Sequence, residues 1–120
     1  MKIAEAAREC GLTVHTIRFY EKAGMLPEIA RSDDGHRQFS REILEWLTLL
    51  ASLRATGMPM KTMQHFAGLY RQGDATVPER KAVLGDHAQH LDVQQMQLSR
   101  CRKLLAQKRA RYDEIIGETP

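Results

Sequence analysis

Arg18 stands in the run Val14-His15-Thr16-Ile17-Arg18-Phe19-Tyr20-Glu21, with His15 and Thr16 before it and Tyr20 after it. A guanidinium among such neighbours has two uses in recognition. It can pair bidentately with O6 and N7 of a guanine, worth about 1 to 3 kcal/mol of discrimination, or clamp a phosphate without regard to sequence. The imidazole of His15 and the hydroxyls of Thr16 and Tyr20 are further donors to base edges and phosphates. A second basic group follows, Arg31, His36 and Arg37, set around Asp33-Asp34-Gly35. These types and spacings predict a nucleic-acid contact surface. In it His15, Thr16 and Arg18 meet the groove, Tyr20 meets a phosphate, and Arg31, His36 and Arg37 serve the backbone. Catalytic patterns are lacking: the sequence has no Gly-rich phosphate loop, no GxSxG and no HExxH, and its carboxylates are scattered among compensating cations. The chain does not read as an enzyme.

The elements that must position these groups are legible on either side. Ile3, Ala4, Ala6 and Ala7 give a first helix whose packing face is small, so that a second helix can cross it closely. Gly11 supplies the left-handed turn that ends it, and Leu12 drops back toward the core. Thr13 is an N-cap for a second helix from about Val14 to Ala23, stopped by Gly24. On that helix Val14, Ile17 and Met25 are assigned the inward face with Phe19 beside them, while His15, Thr16, Arg18 and Tyr20 project elsewhere. This is a helix-turn-helix layout, in which one helix positions and the other presents polar side chains.

Pro27 to Ser40 is rich in turn formers and reads as a short hairpin with Asp33-Asp34-Gly35 at its tip. Alone it could be a solvated loop; directly after a helix-turn-helix it reads as a wing, with Arg31 and Arg37 as phosphate donors and His36 near them. Ser40 opens a third helix to Ala55, with Ile43, Leu44, Leu47 and Leu50 at helical spacing and Trp46 and Leu49 broadening the stripe. Trp46 and Leu47 are placed under the recognition helix. Pro59 starts a fourth helix carrying Met60, Met63, Phe66, Leu69 and Tyr70, whose methionines are read as gap-filling core rather than a ligand surface. Lys61 and Arg71 are additional backbone-contact candidates.

Residues 73–77 read as a linker, and 78–116 as one long helix. Leu84, Leu91, Leu98, Leu105 and Tyr112 recur every seven residues, with His87, Gln94, Cys101, Lys108 and Ile115 three places after each. With one seam position reliably apolar, the stripe is narrow, and such a helix needs a partner. Roughly 35 residues at about 1.5 Å each make a rod on the order of 50 Å, enough to hold two reading heads apart, since successive major-groove turns lie about 34 Å apart.

Ile3-Ala4-Glu5-Ala6-Ala7, Gly11-Leu12, Thr16-Ile17-Arg18-Phe19-Tyr20-Glu21, Gly24-Met25-Leu26-Pro27 and Gly35-His36-Arg37-Gln38-Phe39 closely resemble the opening of MerR-family transcription regulators. The resemblance covers the first half motif by motif and fits the second half in architecture. It implies a mainly α fold: a winged helix-turn-helix domain with two supporting helices over 1–72, then a dimerisation helix that pairs as an antiparallel coiled coil. It further implies a homodimer that binds a palindromic promoter in double-stranded DNA and activates by distorting the over-long spacer, so that RNA polymerase engages both promoter elements. Metal-sensing members carry a cysteine pair near the end of the long helix, where this sequence reads Gly117-Glu118-Thr119-Pro120, so metal sensing and the extra domain of drug-sensing members are not expected. The Gly57-Met58 junction and the segment Gly73 to Arg80 resemble the branch responsive to aldehydes or nitrosative stress, with Ser52 standing where that branch has a cysteine.

Composition sets the outer bounds. The chain has 120 residues, 42% of them hydrophobic, and a formal charge of +3, which suits one soluble domain with an appendage and is compatible with nucleic acid. No apolar run approaches the ~20 residues of a membrane span and no signal pattern opens the chain, so the cytoplasm is the expected compartment. Cys10 and Cys101 form neither a CxxC nor a disulfide framework. Cys10 reads as a small core filler, and Cys101 as a seam residue, buried in a dimer or open to redox chemistry. His87 and His90, three apart, could chelate a metal only with Asp86 or Cys101, an unpersuasive geometry on one helix, so no metal and no cofactor is assigned. Two other readings remain open: an effector-independent repressor or architectural DNA-binding protein, and a helical protein-interaction module.

Overall fold

The computed structural model describes residues 1–118 as five α-helices: α1 Ile3–Cys10, α2 Val14–Lys22, α3 Arg41–Ala55, α4 Met60–Arg71 and α5 Val77–Glu118, with a 3-10 turn at Asp74–Thr76 before the last. Thr119 and Pro120, part of the expectation for the chain's end, lie outside the described residues. Two units divide the chain, Met1–Val83 and a second from Leu84 onward.

The first unit is built from caps and small residues. Lys2 precedes α1, and Gly11 closes it at φ 68°, donating its N–H to Arg8 while Leu12 N–H reaches back to Ala7 O at 3.0 Å. This left-handed turn is open to glycine without a Cβ penalty. Thr13 Oγ1 then accepts from Thr16 N–H at 3.0 Å, starting α2 one turn later. Ala6 and Ala7 are buried, which lets α1 sit closely on α2 and α3; Ala4, expected on that face, is exposed. Ser40 Oγ caps α3 by accepting from Ile43 N–H at 3.3 Å.

The core of this unit is Ile17, Met25, Leu47, Leu50 and Met63, each almost wholly buried. Met63 is a gap-filler within it, as its helical spacing suggested, and Met58, just before α4, is buried beside it, whereas Met60 is half-buried. Trp46 is buried and stacks on Tyr70 at 4.2 Å and Phe66 at 5.3 Å between ring centres, both from α4. Its indole N–H reaches Met25 O, just past α2.

Residues 73–77, read as a linker, connect α4 to α5 through a bonded turn: Thr76 is buried, its hydroxyl donates to Leu69 O at 2.6 Å, and Arg80 donates to Thr76 Oγ1 and to Gly73 O. The polar residues of this segment satisfy the end of α4 and the start of α5. One expectation is corrected on α2. Ile17 is buried, Tyr20 is 2% exposed and Phe19 is 47% exposed, the reverse of the assignment that put Phe19 inward and Tyr20 outward. Helix geometry gives the reason. At 3.6 residues per turn, about 100° each, Tyr20 lies roughly 60° from Ile17 and Phe19 roughly 160° away on the far side.

Candidate nucleic-acid interface

The solvent face of α2 carries His15, Arg18, Phe19 and Lys22, all exposed and spaced three and four apart on one side of the helix. Thr16 beside them is half-buried, and its hydroxyl lies 2.9 Å from Thr13 Oγ1, so in the free protein it serves the cap. Tyr20, expected to meet a phosphate, is 2% exposed and packs largely against the core. Burial pushes its phenol up, partly offset by the Arg54 guanidinium.

After Pro27 the chain forms a wing of one antiparallel bridge, Arg31 with Arg37. Ser32 N–H donates to His36 O and Gln38 N–H to Ala30 O, each at 2.8 Å, and Gly35 turns the tip at φ 84°. The polar tip residues bind one another. Asp34 accepts from Ser32 Oγ and from His36 N–H, and these bonds, the Ser32 hydroxyl foremost, hold its carboxyl below the usual range. His36 Nε2 lies 3.9 Å and Lys2 Nζ 4.0 Å from the same carboxylate. Phe39 N–H donates to Met1 O at 2.8 Å, tying the wing's base to the start of the chain.

Two concavities flank α2. One of about 430 Å³ lies on the wing side, lined by Lys2, Arg18, Glu21, Arg31, His36 and Arg37 among others. It unites four of the residues singled out from sequence, Arg18, Arg31, His36 and Arg37, and adds Lys2. Arg31 Nη1 bonds Gly35 O at 2.8 Å, and Arg37 Nε bonds Glu21 Oε2 at 2.7 Å. The other, about 770 Å³, opens toward the α3–α4 junction and holds His15, Thr16, Phe19 and Tyr20 with Arg54 and Met60. Phe19, Lys22, Lys2 and Arg54 were not picked from sequence. The period from Ile17 would have found Phe19 and Lys22; Lys2 and Arg54 reach the surface only through tertiary packing. Cys10 is half-buried with Sγ 3.6 Å from Leu44 O, and Ser52 is exposed on the same wall.

The described part of the second unit, Leu84 to Glu118, is a single helix. Leu84, Leu91 and Gln94 are half-buried, whereas Leu98, Leu105, Tyr112 and Ile115 are exposed, as is Cys101. Leu104 and Ile116 are also exposed beside the seam, so the apolar stripe of the C-terminal half is wider than the sevenfold repeat alone indicated. His87 and His90 lie 6.0 Å apart between ring centres, and among the described residues no three His, Cys, Asp or Glu side chains come together as a metal site. No helix among them is long and apolar enough to cross a membrane.

Comparison with known proteins adds to this geometry. Residues 1–67 match the model described as MerR HTH family regulatory protein, and residues 44–110 the model described as MerR, DNA binding. An uncharacterized HTH-type transcriptional regulator of Haemophilus influenzae is 37% identical over 92% of this chain and 82% of its own length. The HTH-type transcriptional regulator AdhR of Bacillus subtilis is 35% identical over 76% of this chain and 65% of its own. Among solved structures, HiNmlR, a MerR family regulator lacking the sensor domain and bound to promoter DNA, superposes with a TM-score of 0.88 at 35% identity, covering 98% of this chain and 93% of that one.

Proposed function

The chain belongs to the MerR family of DNA-binding transcriptional regulators, and from that premise we propose that it binds a palindromic promoter as a homodimer and activates by distorting the spacer between promoter elements. The observation that carries the reading is the wing-side concavity, where Lys2, Arg18, Arg31, His36 and Arg37 converge beside the exposed face of α2. Cations gathered on one face in this way are what a phosphate-gripping surface needs. His15, Thr16 and Phe19 then face base edges, Phe19 offering an apolar ring to a thymine methyl. Arg31, His36 and Arg37 hold the backbone.

The second copy comes through α5. Leu98, Cys101, Leu105 and Tyr112, with Leu84 and Leu91 before them, form the contact, and burying such side chains stabilises by roughly 25 cal/mol per Å². Two heads gripping at once offset the several kcal/mol that bending or untwisting a duplex costs. RNA polymerase is the partner that reads the result, and the cytoplasm is where the two meet. Cys101 enters as a dimer residue, with redox chemistry as its alternative role.

The test is a titration of duplex DNA across a salt series with wild-type protein and Arg18→Ala. Wild-type affinity falls steeply as salt rises, and Arg18→Ala loses specific binding while its circular dichroism is unchanged. An Arg18→Ala protein that binds as wild-type in moderate salt overturns the assignment of this surface.

A further inference from the structure

The concavity on the wing side holds one carboxylate among its cations, Glu21. A negative charge on a surface that meets phosphate weakens binding unless it does something else there. Glu21 Oε2 accepts from Arg37 Nε at 2.7 Å, a bond that joins α2 to the wing across sixteen residues of sequence, with both side chains about two-thirds buried. The wing's other bonds do not touch α2. Arg31 reaches Gly35 O, Ser32 and Asp34 serve the tip, and Phe39 pairs with Met1. Among the described residues, the Glu21–Arg37 pair is therefore the one hydrogen bond or ion pair between wing and recognition helix. It also consumes only Nε: both terminal amino groups of Arg37 make no other hydrogen bond among those residues.

We propose that Glu21 is a positioning residue for DNA binding. Resting on the reading of this surface given above, its carboxylate fixes the angle of the wing against α2 and aims the two terminal amino groups of Arg37 at a phosphate. A planar guanidinium held by Nε presents Nη1 and Nη2 in a fixed fork, the geometry a phosphate accepts.

The prediction runs against simple charge counting. Glu21→Gln removes a negative charge from the DNA face, which by Coulomb attraction alone would tighten binding. Instead it weakens binding to a duplex that the wild-type protein has enriched from a random pool, by about tenfold, within the range of coupling between contacting residues. The slope of log affinity against log salt also falls by about one phosphate contact, a change that general loss of stability would not produce. Arg37→Gln has the same effect, and the double variant is no worse than either single one. Equal or tighter binding by Glu21→Gln with an unchanged slope, or additive losses in the double variant, overturns the proposal. If the wild-type protein enriches no duplex, the DNA reading itself fails, and the clamp is then judged without DNA by hydrogen exchange at the Arg37 Nε–H. Slow exchange in wild-type that quickens in Glu21→Gln supports it; equal exchange in the two proteins refutes it.

Discussion

The indole Nε1–H of Trp46 donates to the backbone carbonyl of Met25 at 2.8 Å, a buried bond between α3 and the residue that follows the turn after α2. That carbonyl lies where a helix has just ended and has no ladder partner to fall back on. The same ring stacks on Tyr70, over which Arg80 lies at 5.2 Å. One side chain thus ties the end of the recognition helix to α4, which Tyr70 and Arg80 extend to the start of α5.

Trp46→Phe keeps the stack and removes the donor, leaving the Met25 carbonyl unpaired. The expected cost is about 1 to 3 kcal/mol, the penalty for a buried unsatisfied polar group. Urea denaturation followed by circular dichroism measures it; a loss under half a kilocalorie would mean that water replaces the indole.

Phe19 and Tyr20, adjacent in sequence, should separate stability from binding. Tyr20→Ala opens a cavity in the core and costs about 3 to 5 kcal/mol, whereas Phe19→Ala changes stability by no more than about 0.5 kcal/mol. Phe19→Ala instead weakens DNA binding. Paired denaturation curves and duplex titrations decide it, and a Phe19→Ala protein that melts early would show that its ring packs rather than reads.

Tyr70 donates to Glu42 Oε1 at 2.9 Å, and this bond, with a smaller contribution from burial, raises its phenol above the ordinary 10.0. The folded state thus binds the proton more tightly than the unfolded chain does. The stability it contributes is fully present below the ordinary value and is lost as pH rises through the raised one. Glu42→Gln removes the carboxylate and lowers the midpoint of one of the three tyrosines in an ultraviolet titration, and the alkaline loss of stability becomes shallower. An unchanged titration would mean that the bond does not persist in solution.

Leu105→Glu tests the second copy. The residue is 57% exposed on the chain and sits on the α5 stripe. Burying a charge there weakens dimerisation by at least about a hundredfold, seen by sedimentation as a monomer whose first unit remains folded. A dimer of undiminished affinity would place the subunit contact on another surface.

How far the sequence carried this reading depends on the kind of residue. Gly11, Thr13 and Ser40 were legible because caps and turns are local chemistry, and the structure places each at its cap. Arg31, His36 and Arg37 could be picked out for the same reason, since they flank one short turn; that Arg18 joins them in one concavity is a matter of packing. Phe19 and Tyr20 were inverted because a nine-residue helix offers two bulky neighbours and a short apolar pattern, and only the angle from Ile17 separates them. The segment 73–77 looked like a linker since Gly73, Asp74 and Thr76 are turn formers; that the Thr76 hydroxyl closes α4 depends on where Leu69 O ends up. Lys2, Arg54 and the Glu21–Arg37 pair are long-range facts that no local window contains.

The measurement that bears most directly on the central claim is a footprint of the purified protein on the promoter DNA of its own host. Protection of two half-sites related as an inverted repeat is expected, lying between the promoter elements and centred whole helical turns apart, about 34 Å each, with protection lost in Arg18→Ala. A single unpaired half-site would contradict the dimer, and no discrete footprint at low salt would contradict the DNA-binding surface itself.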